Sequence, residues 1–325
     1  MKISVVTPTL ALDDFLTEAR QSVARQDIDC EIEHLIAVDD RHVVLPPDEI
    51  TGRLMTRFVY NRRGKGPGGA RNSALDHATG AIIFFLDADD LWPVDYIRRV
   101  VAVYAAHSAV DCVSVAGLSF GEAIERPKLT IPALPSGIIP RTTMAWNPIG
   151  GPSGFSYRRN AATRSVRFQD AIYFQDILFY LDLLRQGSVF WRETGVYYWY
   201  RRSPGQLIST IAIDKVRASR ILVEQSIARW CNAGLTRWEA GVAHVQIQRL
   251  SANRERRRDW RNTLLLVAMA PGWAIAQVRR QAQNRRLAQC QLRGALTMPG
   301  RHAASRPVGS SPFHGKQQDT IDQRD

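Results

Sequence analysis

Three carboxylates crowd onto four positions at Asp87-Ala88-Asp89-Asp90, directly after the apolar run IIFFL. Such a cluster repels itself unless a cation or solvent neutralises it. Mg²⁺ or Mn²⁺ is normally held by one or two carboxylates together with substrate phosphates, so the cluster suits a nucleotide diphosphate better than a bare structural ion. A solvated turn with a helix cap is the competing reading, since Asp-Asp before LWPVDYIRRV is also good N-terminal helix chemistry. A second acidic pair, Asp39-Asp40, ends another apolar run. A carboxylate there can accept from a base N–H or a ribose hydroxyl, or simply close a turn. The segment GKGPGG at 64–69 formally matches G-x-G-x-x-G, with Asp87 at about the distance of a ribose-binding acid. That fingerprint belongs to a first βαβ unit rather than a third connection, and Lys65 and Pro67 suit a flexible, phosphate-facing loop. The GK[ST] of a P-loop is also missing.

These residues need elements to position them. Ile3 to Thr7 is a β-branched run closed by Pro8, followed by an apolar periodic segment, Phe15 to Val23, which predicts strand, loop and helix. The unit recurs: strands are predicted at Ile32 to Val38, Arg57 to Tyr60 and Ala81 to Leu86, and a helix at Ala70 to His77. Alternation of this kind predicts an α/β fold with a parallel sheet and helices on both faces. Ligands of such sheets bind outside the carboxyl ends of the strands, so Thr7, Asp39, Asp40, Asp87, Asp89 and Asp90 are expected around one crevice. Between about 121 and 165 the pattern gives way to a Pro- and Gly-rich region containing NPIGGPSG, a candidate acceptor-facing wall. The helical pattern FQDILFYLDLLRQG follows.

The chain has 325 residues, 45% of them hydrophobic, which is ordinary for a globular protein. Its four cysteines, Cys30, Cys112, Cys231 and Cys290, are widely spaced and form no CxxC pair, so neither a zinc site nor a disulfide framework is indicated. The apolar run after Lys2 is broken by Thr7 and Pro8 before a signal peptide's hydrophobic region would be complete. A cytoplasmic protein is expected. The net charge of +12 is unevenly placed: residues 1–216 carry 24 basic and 24 acidic side chains, whereas 217–306 carry 17 against 4. In that third, RERRRDWR at 254–261 precedes an apolar stretch, Thr263 to Ile275, and RRQAQNRR follows at 279–286. The stretch is shorter than the ~20 apolar residues of a bilayer crossing and is interrupted by Pro271-Gly272. Flanked by arginines, Trp260 and Trp273, it predicts a helix pair on an anionic membrane face, with packing against the catalytic domain or a partner as the alternative. Nucleic acid is not an expected partner, because apolar residues interleave with the arginines and no nucleic-acid module is present. From about 297 onward the composition predicts disorder.

Taken together, ISVVTPTL, SVARQ, EIEHLIAVDD, GGARNSALDHATGAIIFFLDADDLW, the helix around FQDILFYLDLL, and YRRSPGQLIS resemble, in order and spacing, the family 2 glycosyltransferases of the GT-A fold. The pattern spans most of residues 3 to 210. The resemblance implies a GT-A fold, Rossmann-like, with a mainly parallel sheet flanked by helices and, in this chain, a C-terminal basic helical extension. Residues 1–212 form the catalytic domain on this reading, 213–296 the basic helical region and 297–325 the tail.

The family's roles, carried onto matching positions, imply that Thr7, Pro8, Asp39 and Asp40 line the nucleotide site and that Asp87 lies near the ribose and diphosphate. Asp89, helped by Asp90, would hold Mn²⁺ or Mg²⁺, while Arg71 faces the donor and Arg201 reaches toward the diphosphate from a mobile loop. Asp176 would be the catalytic base, with Asp170 as its competitor. Two departures stand out: Gln175 replaces the usual Glu before the base, and Ser203 stands where many relatives have His. The implied reaction is inverting transfer of a sugar from a nucleotide-diphosphate donor, UDP-linked on this resemblance, to a saccharide or lipid-linked saccharide acceptor. A non-catalytic nucleotide-sugar-binding protein is the rival that the two departures allow.

Overall fold

The computed structural model describes residues 1–121, 124–131, 134–203, 212–255, 259–292 and 299. All of the expected tail but residue 299, and most of the YRRSPGQLIS segment, lie outside the described residues.

Five strands and three helices build the first half: β1 (Lys2–Thr9), α1 (Asp14–Ala24), β2 (Glu31–Val38), β3 (Glu49–Thr51), β4 (Leu54–Tyr60), α2 (Pro67–Leu75), β5 (Ile82–Phe85) and α3 (Tyr96–Ala106). β6 (Cys112–Phe120), β7 (Gly137–Ile138), α4 (Arg141–Met144), a 3₁₀ turn (Pro152–Gly154), β8 (Phe155–Arg158), α5 (Gln175–Arg185) and β9 (Phe190–Arg201) complete the sheet region. Four helices follow: α6 (Ile213–Trp230), α7 (Arg237–Arg254), α8 (Trp260–Met269) and α9 (Pro271–Leu292).

The nine strands make one sheet in the order β3-β4-β2-β1-β5-β8-β6-β9-β7. β4, β2, β1 and β5 run parallel, which explains why β1 and β5 read as unbroken apolar runs: both faces are covered by helices. The register Thr9↔Val38 and Val6↔Phe85 brings Asp39 and Asp87 out at the same edge of the sheet. Beyond β5 the pairing is mixed. β8 inserts antiparallel between β5 and β6, so its first residues abut the end of β5, and β9 runs parallel to β6. β3, unannounced in the sequence, is a three-residue edge strand whose residues are all exposed.

Of the two main cores, one is formed where α1 and α3 cover the sheet, with Phe84, Trp92 and Tyr96 in mutual contact. The other gathers Phe85, Phe155, Tyr157, Phe168 and Phe179 under α2 and α5. Val216, Val223 and Ile227 of α6 and Ala243 and Ile247 of α7 belong to this same cluster. The boundary expected near 212 therefore separates a strand-rich part from a helical part that shares its core. Arg141 reinforces the join, donating from Nε to Glu239 Oε1 (2.9 Å), from Nη1 to the Leu184 carbonyl (2.6 Å) and from Nη2 to the Gly234 carbonyl (2.8 Å).

Candidate active site

The acidic strand end is built from both sides. Asp87 follows β5, and its backbone N–H donates to Ser153 Oγ at 2.9 Å. Ser153 is fixed in turn, its carbonyl accepting from Trp92 Nε1 (2.9 Å) and Tyr96 Oη (3.3 Å). The Pro- and Gly-rich segment thus bends into a 3₁₀ turn that buttresses the acidic motif. Across the motif, α2 presents Arg71, a buried guanidinium whose Nη2 donates to Asp87 Oδ1 at 2.5 Å. The group lies 5.2 Å above the Phe168 ring, and its Nε and Nη1 are buried with no protein partner among the described residues.

Asp89 and Asp90 behave differently. Asp89 is half-buried, whereas Asp90 is 1% exposed and accepts the Arg201 backbone N–H at 3.0 Å. Burial, and then the neighbouring charges of Asp89 and Asp87, push the Asp90 carboxyl well above the usual carboxylate range. Arg201 stands at the last position of β9 rather than on a loop. Its Nε donates to the Asp89 carbonyl (2.7 Å), its Nη2 to Glu18 Oε2 (2.6 Å), and its guanidinium sits 4.6 Å from the rings of both Phe15 and Phe120. In this position Arg201 clamps the backbone of the acidic turn from the end of a strand, not from the mobile loop expected from the sequence.

Asp176 opens α5. Phe174, in the left-handed conformation with φ 65°, turns the chain into the helix, and Asp176 Oδ1 accepts the Ile177 N–H at 2.9 Å. Burial raises its carboxyl to about 6, against the lowering effects of that hydrogen bond and of Arg71's charge. Arg71 and Asp87 both act on Asp176 electrostatically, so α2, the end of β5 and the start of α5 meet here. The competitor, Asp170, sits elsewhere: a side chain added at Gly64 would strike its carboxylate at 2.8 Å, so it packs on the Gly-rich turn. Gln175 is buried beside Gly68, with Oε1 lacking a protein partner among the described residues.

The second acidic pair divides its labour. Asp39 accepts from Asn61 Nδ2 (2.5 Å) and from the Gly66 N–H (2.8 Å), so it holds the Gly-rich turn against the end of β2. Asp40 Oδ1 accepts the His42 N–H at 2.9 Å. A depression of about 360 Å³ opens here, lined by Asp39, Asp40, Arg41, His42, Asn61, Arg63 and Lys65. Acidic acceptors and the cationic groups of Arg41, Lys65 and Arg63, the last paired with Asp76, line it together, which suits a ligand that carries both hydroxyls and phosphates. Gly66 to Gly69 is the start of α2 rather than open loop, with Gly66 at φ 104° as its cap and Pro67 in the first turn, where its missing N–H costs nothing.

Thr7 and Pro8 are buried beneath the crevice, and the Thr7 hydroxyl shares a 2.8 Å hydrogen bond with His34 Nε2. Burial, with Arg20's charge, lowers His34 to about 3, so this ring is neutral and part of the sheet's interior. The residues that sequence reasoning passed over are Asn61, Ser153, Phe168 and Glu18. Asn61 alone carried a local signal, a polar residue directly after a strand. Among the described residues no three acidic, His or Cys side chains converge into a complete metal cage. The partly exposed carboxylates of Asp87 and Asp89 are hard oxygen donors too few for a full cage, which is the share a protein contributes when phosphate oxygens and water supply the rest.

Residues 4–165 match the model of Glycosyl transferase family 2. Over 246 residues, 71% of this chain and 69% of the relative, the sequence is 25% identical to the succinoglycan biosynthesis protein ExoO of Rhizobium meliloti (strain 1021). The fold is similar to that of S. aureus TarS 1–349 solved with UDP-GlcNAc, with a TM-score of 0.60 at 16% identity, covering 90% of this chain and 92% of that one. It is also similar to a mannosyltransferase of Pyrobaculum calidifontis solved with GDP-Man and Mn²⁺, with a TM-score of 0.51 at 18% identity over 89% and 86% of the two chains.

Proposed function

We propose, from the premise that this chain belongs to glycosyl transferase family 2, that it transfers a sugar from a UDP-linked donor to a hydroxyl of a saccharide or lipid-linked saccharide, with inversion. The product would be a bacterial surface polysaccharide or exopolysaccharide, assembled in the cytoplasm or at its membrane face. The observation that carries this reading is the meeting of Arg71, Asp87 and Asp176 from three separate elements at the carboxyl edge of the sheet.

Each group has work suited to its surroundings. Asp40 and the cationic wall of Arg41, Arg63 and Lys65 bind the nucleoside and its phosphates, while Asp39 and Asn61 keep the Gly-rich turn in register. Asp89, with Asp90 behind it, would hold Mn²⁺ or Mg²⁺, which when bound supplies positive charge to the diphosphate. Burial is the main reason that the Asp90 carboxyl is pushed up, and the neighbouring charges of Asp89 and Asp87 add to it; that added negative charge is what such a cation would relieve. Asp176, poised near neutral pH, takes the proton of the acceptor hydroxyl as its oxygen bonds to the anomeric carbon. The bond from that carbon to the diphosphate oxygen breaks on the opposite face, which inverts the centre. The buried donors of Arg71 that have no protein partner among the described residues would stabilise the charge left on the departing diphosphate.

The test is calorimetric titration with UDP and UDP-sugars, with and without Mn²⁺, on the wild type and Asp89→Ala. Metal-dependent binding that the substitution abolishes is expected. A folded protein that binds no nucleoside diphosphate under any condition would remove the reading and leave a non-catalytic scaffold.

A further inference from the structure

Helices α8 and α9 are apolar on two opposite sides, and one core explains only one of them. On the inner side Leu266, Ala270, Trp273 and Ala276 pack with Trp146 of the segment after α4 and with Val242 and Val245 of α7. Further along, α9 is tied to the body by polar contacts: Arg280 Nε donates to the Leu129 carbonyl (2.9 Å), Asn284 Oδ1 accepts the Leu129 N–H (2.8 Å), and Gln283 donates to Tyr197 Oη (3.0 Å). The pair is thus held against the body of the protein from Trp273 to Asn284 of α9.

The outer side remains uncovered among the described residues. Trp260, Leu264 and Val267 recur at helical spacing on α8 with exposures of 64%, 67% and 37%, and Ile275 and Val278 of α9 are 53% and 67% exposed. Exposed apolar residues scattered singly need no explanation, but these five and Leu265, six within 19 residues on a helix pair whose other side is already packed, do. The exposed cations are arranged around them: Arg261 beside Trp260, and Arg279, Arg285 and Arg286 beyond Val278. Residues 259–292 carry five arginines against one acid, Asp259.

We propose that this outer face docks on an anionic lipid bilayer, with α8 and the first turns of α9 lying in the headgroup region. The charge decides the occupant. A second copy would bring two arginine-rich faces together and repel, whereas an anionic surface attracts the arginines while the apolar residues enter the acyl boundary. The pair cannot cross instead, because no helix among the described residues is long and apolar enough to do so. Docking on this face requires nothing of the donor site.

The experiment is co-flotation of the full-length chain with vesicles of phosphatidylglycerol and phosphatidylcholine, or of phosphatidylcholine alone, alongside UDP titration of each variant. The wild type should float with the anionic vesicles and not the neutral ones, and less at high salt. Trp260→Glu combined with Leu264→Glu should reduce retention roughly tenfold, and so should Arg279, Arg285 and Arg286 together changed to Gln, on the partition expected of apolar insertion plus surface charge. Circular dichroism checks that the variants are folded, and UDP affinity should be unchanged in both. Failure of the wild type to float, flotation indifferent to lipid charge, or folded variants that float as well as wild type would overturn the proposal. So would a concentration-dependent dimer that the Glu variant abolishes, since the face would then belong to a second copy.

Discussion

Arg71 reaches Asp87 across the gap between α2 and β5 with a 2.5 Å hydrogen bond, yet the same guanidinium keeps Nε and Nη1 buried and unpaired among the described protein groups. A buried donor without an acceptor costs roughly 1–3 kcal/mol, and for a charged group more. Groups kept in that state at the edge of a sheet are what a ligand with anionic oxygens would satisfy. Arg71 also lowers the Asp176 carboxyl, so one cation links the donor side of the crevice to the base.

That link gives a test in two readouts. Arg71→Met should weaken UDP binding by at least tenfold, consistent with the ~2–5 kcal/mol lost when one partner of a buried charge pair is removed. It should also move the acidic limb of kcat/KM to higher pH, because the charge that lowers Asp176 is gone. Asp176 that titrates unchanged in the variant would break the connection.

Asp176→Asn should reduce kcat by about 10²–10⁴, the usual worth of a general base, with little change in UDP affinity. In the wild type, activity should rise with pH through about 6 as Asp176 ionises. Stability runs the other way. Its folded carboxyl holds a proton to about 6 against a starting value of 3.8, so the folded state loses stability as pH rises across that window. The Asn variant escapes that loss and should be more stable at pH 8, by about 3 kcal/mol. Thermal melts of both proteins at pH 5 and pH 8 would check it.

Gly69→Ala is expected to disable the nucleotide site. A Cβ at Gly69 would fall 1.5 Å from the Gly64 carbonyl oxygen, so the Gly-rich turn has to open. Asp39 and Asn61 would then lose their hold on Gly66 and Gly64, and UDP affinity should fall more than tenfold, the scale expected when several kcal/mol of positioning are removed. Gly52, exposed at φ 60° with open space beside it, is the control, since its substitution strains only an exposed turn.

Glu33 predicts a pure stability effect. It lies buried between β1 and the turn before β5, its Oε1 accepting from Ser4 Oγ (2.5 Å), Thr79 N–H (2.5 Å) and Gly80 N–H (3.0 Å), with Lys2 Nζ 2.8 Å from Oε2. Burial raises its carboxyl, but Lys2, Ser4 and Thr79 outweigh that and hold it at about 2. The stabilisation is present in full above the unfolded value of 4.5 and disappears as pH falls through about 2. Glu33→Gln should cost on the order of 3 kcal/mol at pH 7 and progressively less below pH 4, with donor binding intact. Urea titrations at pH 7 and pH 3 measure the difference.

Arg201→Lys tests the clamp. Lysine keeps the charge but not the planar fork that spans the Asp89 carbonyl and Glu18 between two aromatic rings. Stability should fall by about 1–3 kcal/mol, and Mn²⁺-dependent UDP binding should weaken as the acidic turn loosens. Loss of UDP binding that is equal with and without Mn²⁺ would instead support a direct contact with the diphosphate.

Much of the strand half was legible because it rests on local rules. β1, β2 and β5 are apolar runs ended by Pro or Asp, and parallel pairing of such strands aligns their carboxyl ends. Asp39, Asp40, Asp87 and Asp89 stand out as acids after strands, whereas Asp176 enters through the family resemblance. The edge strand β3 and the buttress Ser153 were not legible, because three exposed residues have no periodicity and a serine's partner 66 positions away leaves no local mark.

The sequence by itself determined which side chains are available to the chemistry, which strands carry them and that positive charge gathers in the C-terminal third. Tertiary structure alone decided how those side chains are used. Asp39 braces a turn, Asp90 is withdrawn and protonation-prone, Thr7 faces His34, and Arg201 clamps a backbone, although all four sit where a ligand contact was expected. The reason is that strand position fixes where a Cα emerges. Whether its side chain meets solvent, a neighbour or a ligand depends on partners brought in from distant parts of the chain, here Ser153, His34 and Glu18, whose identity no local pattern encodes.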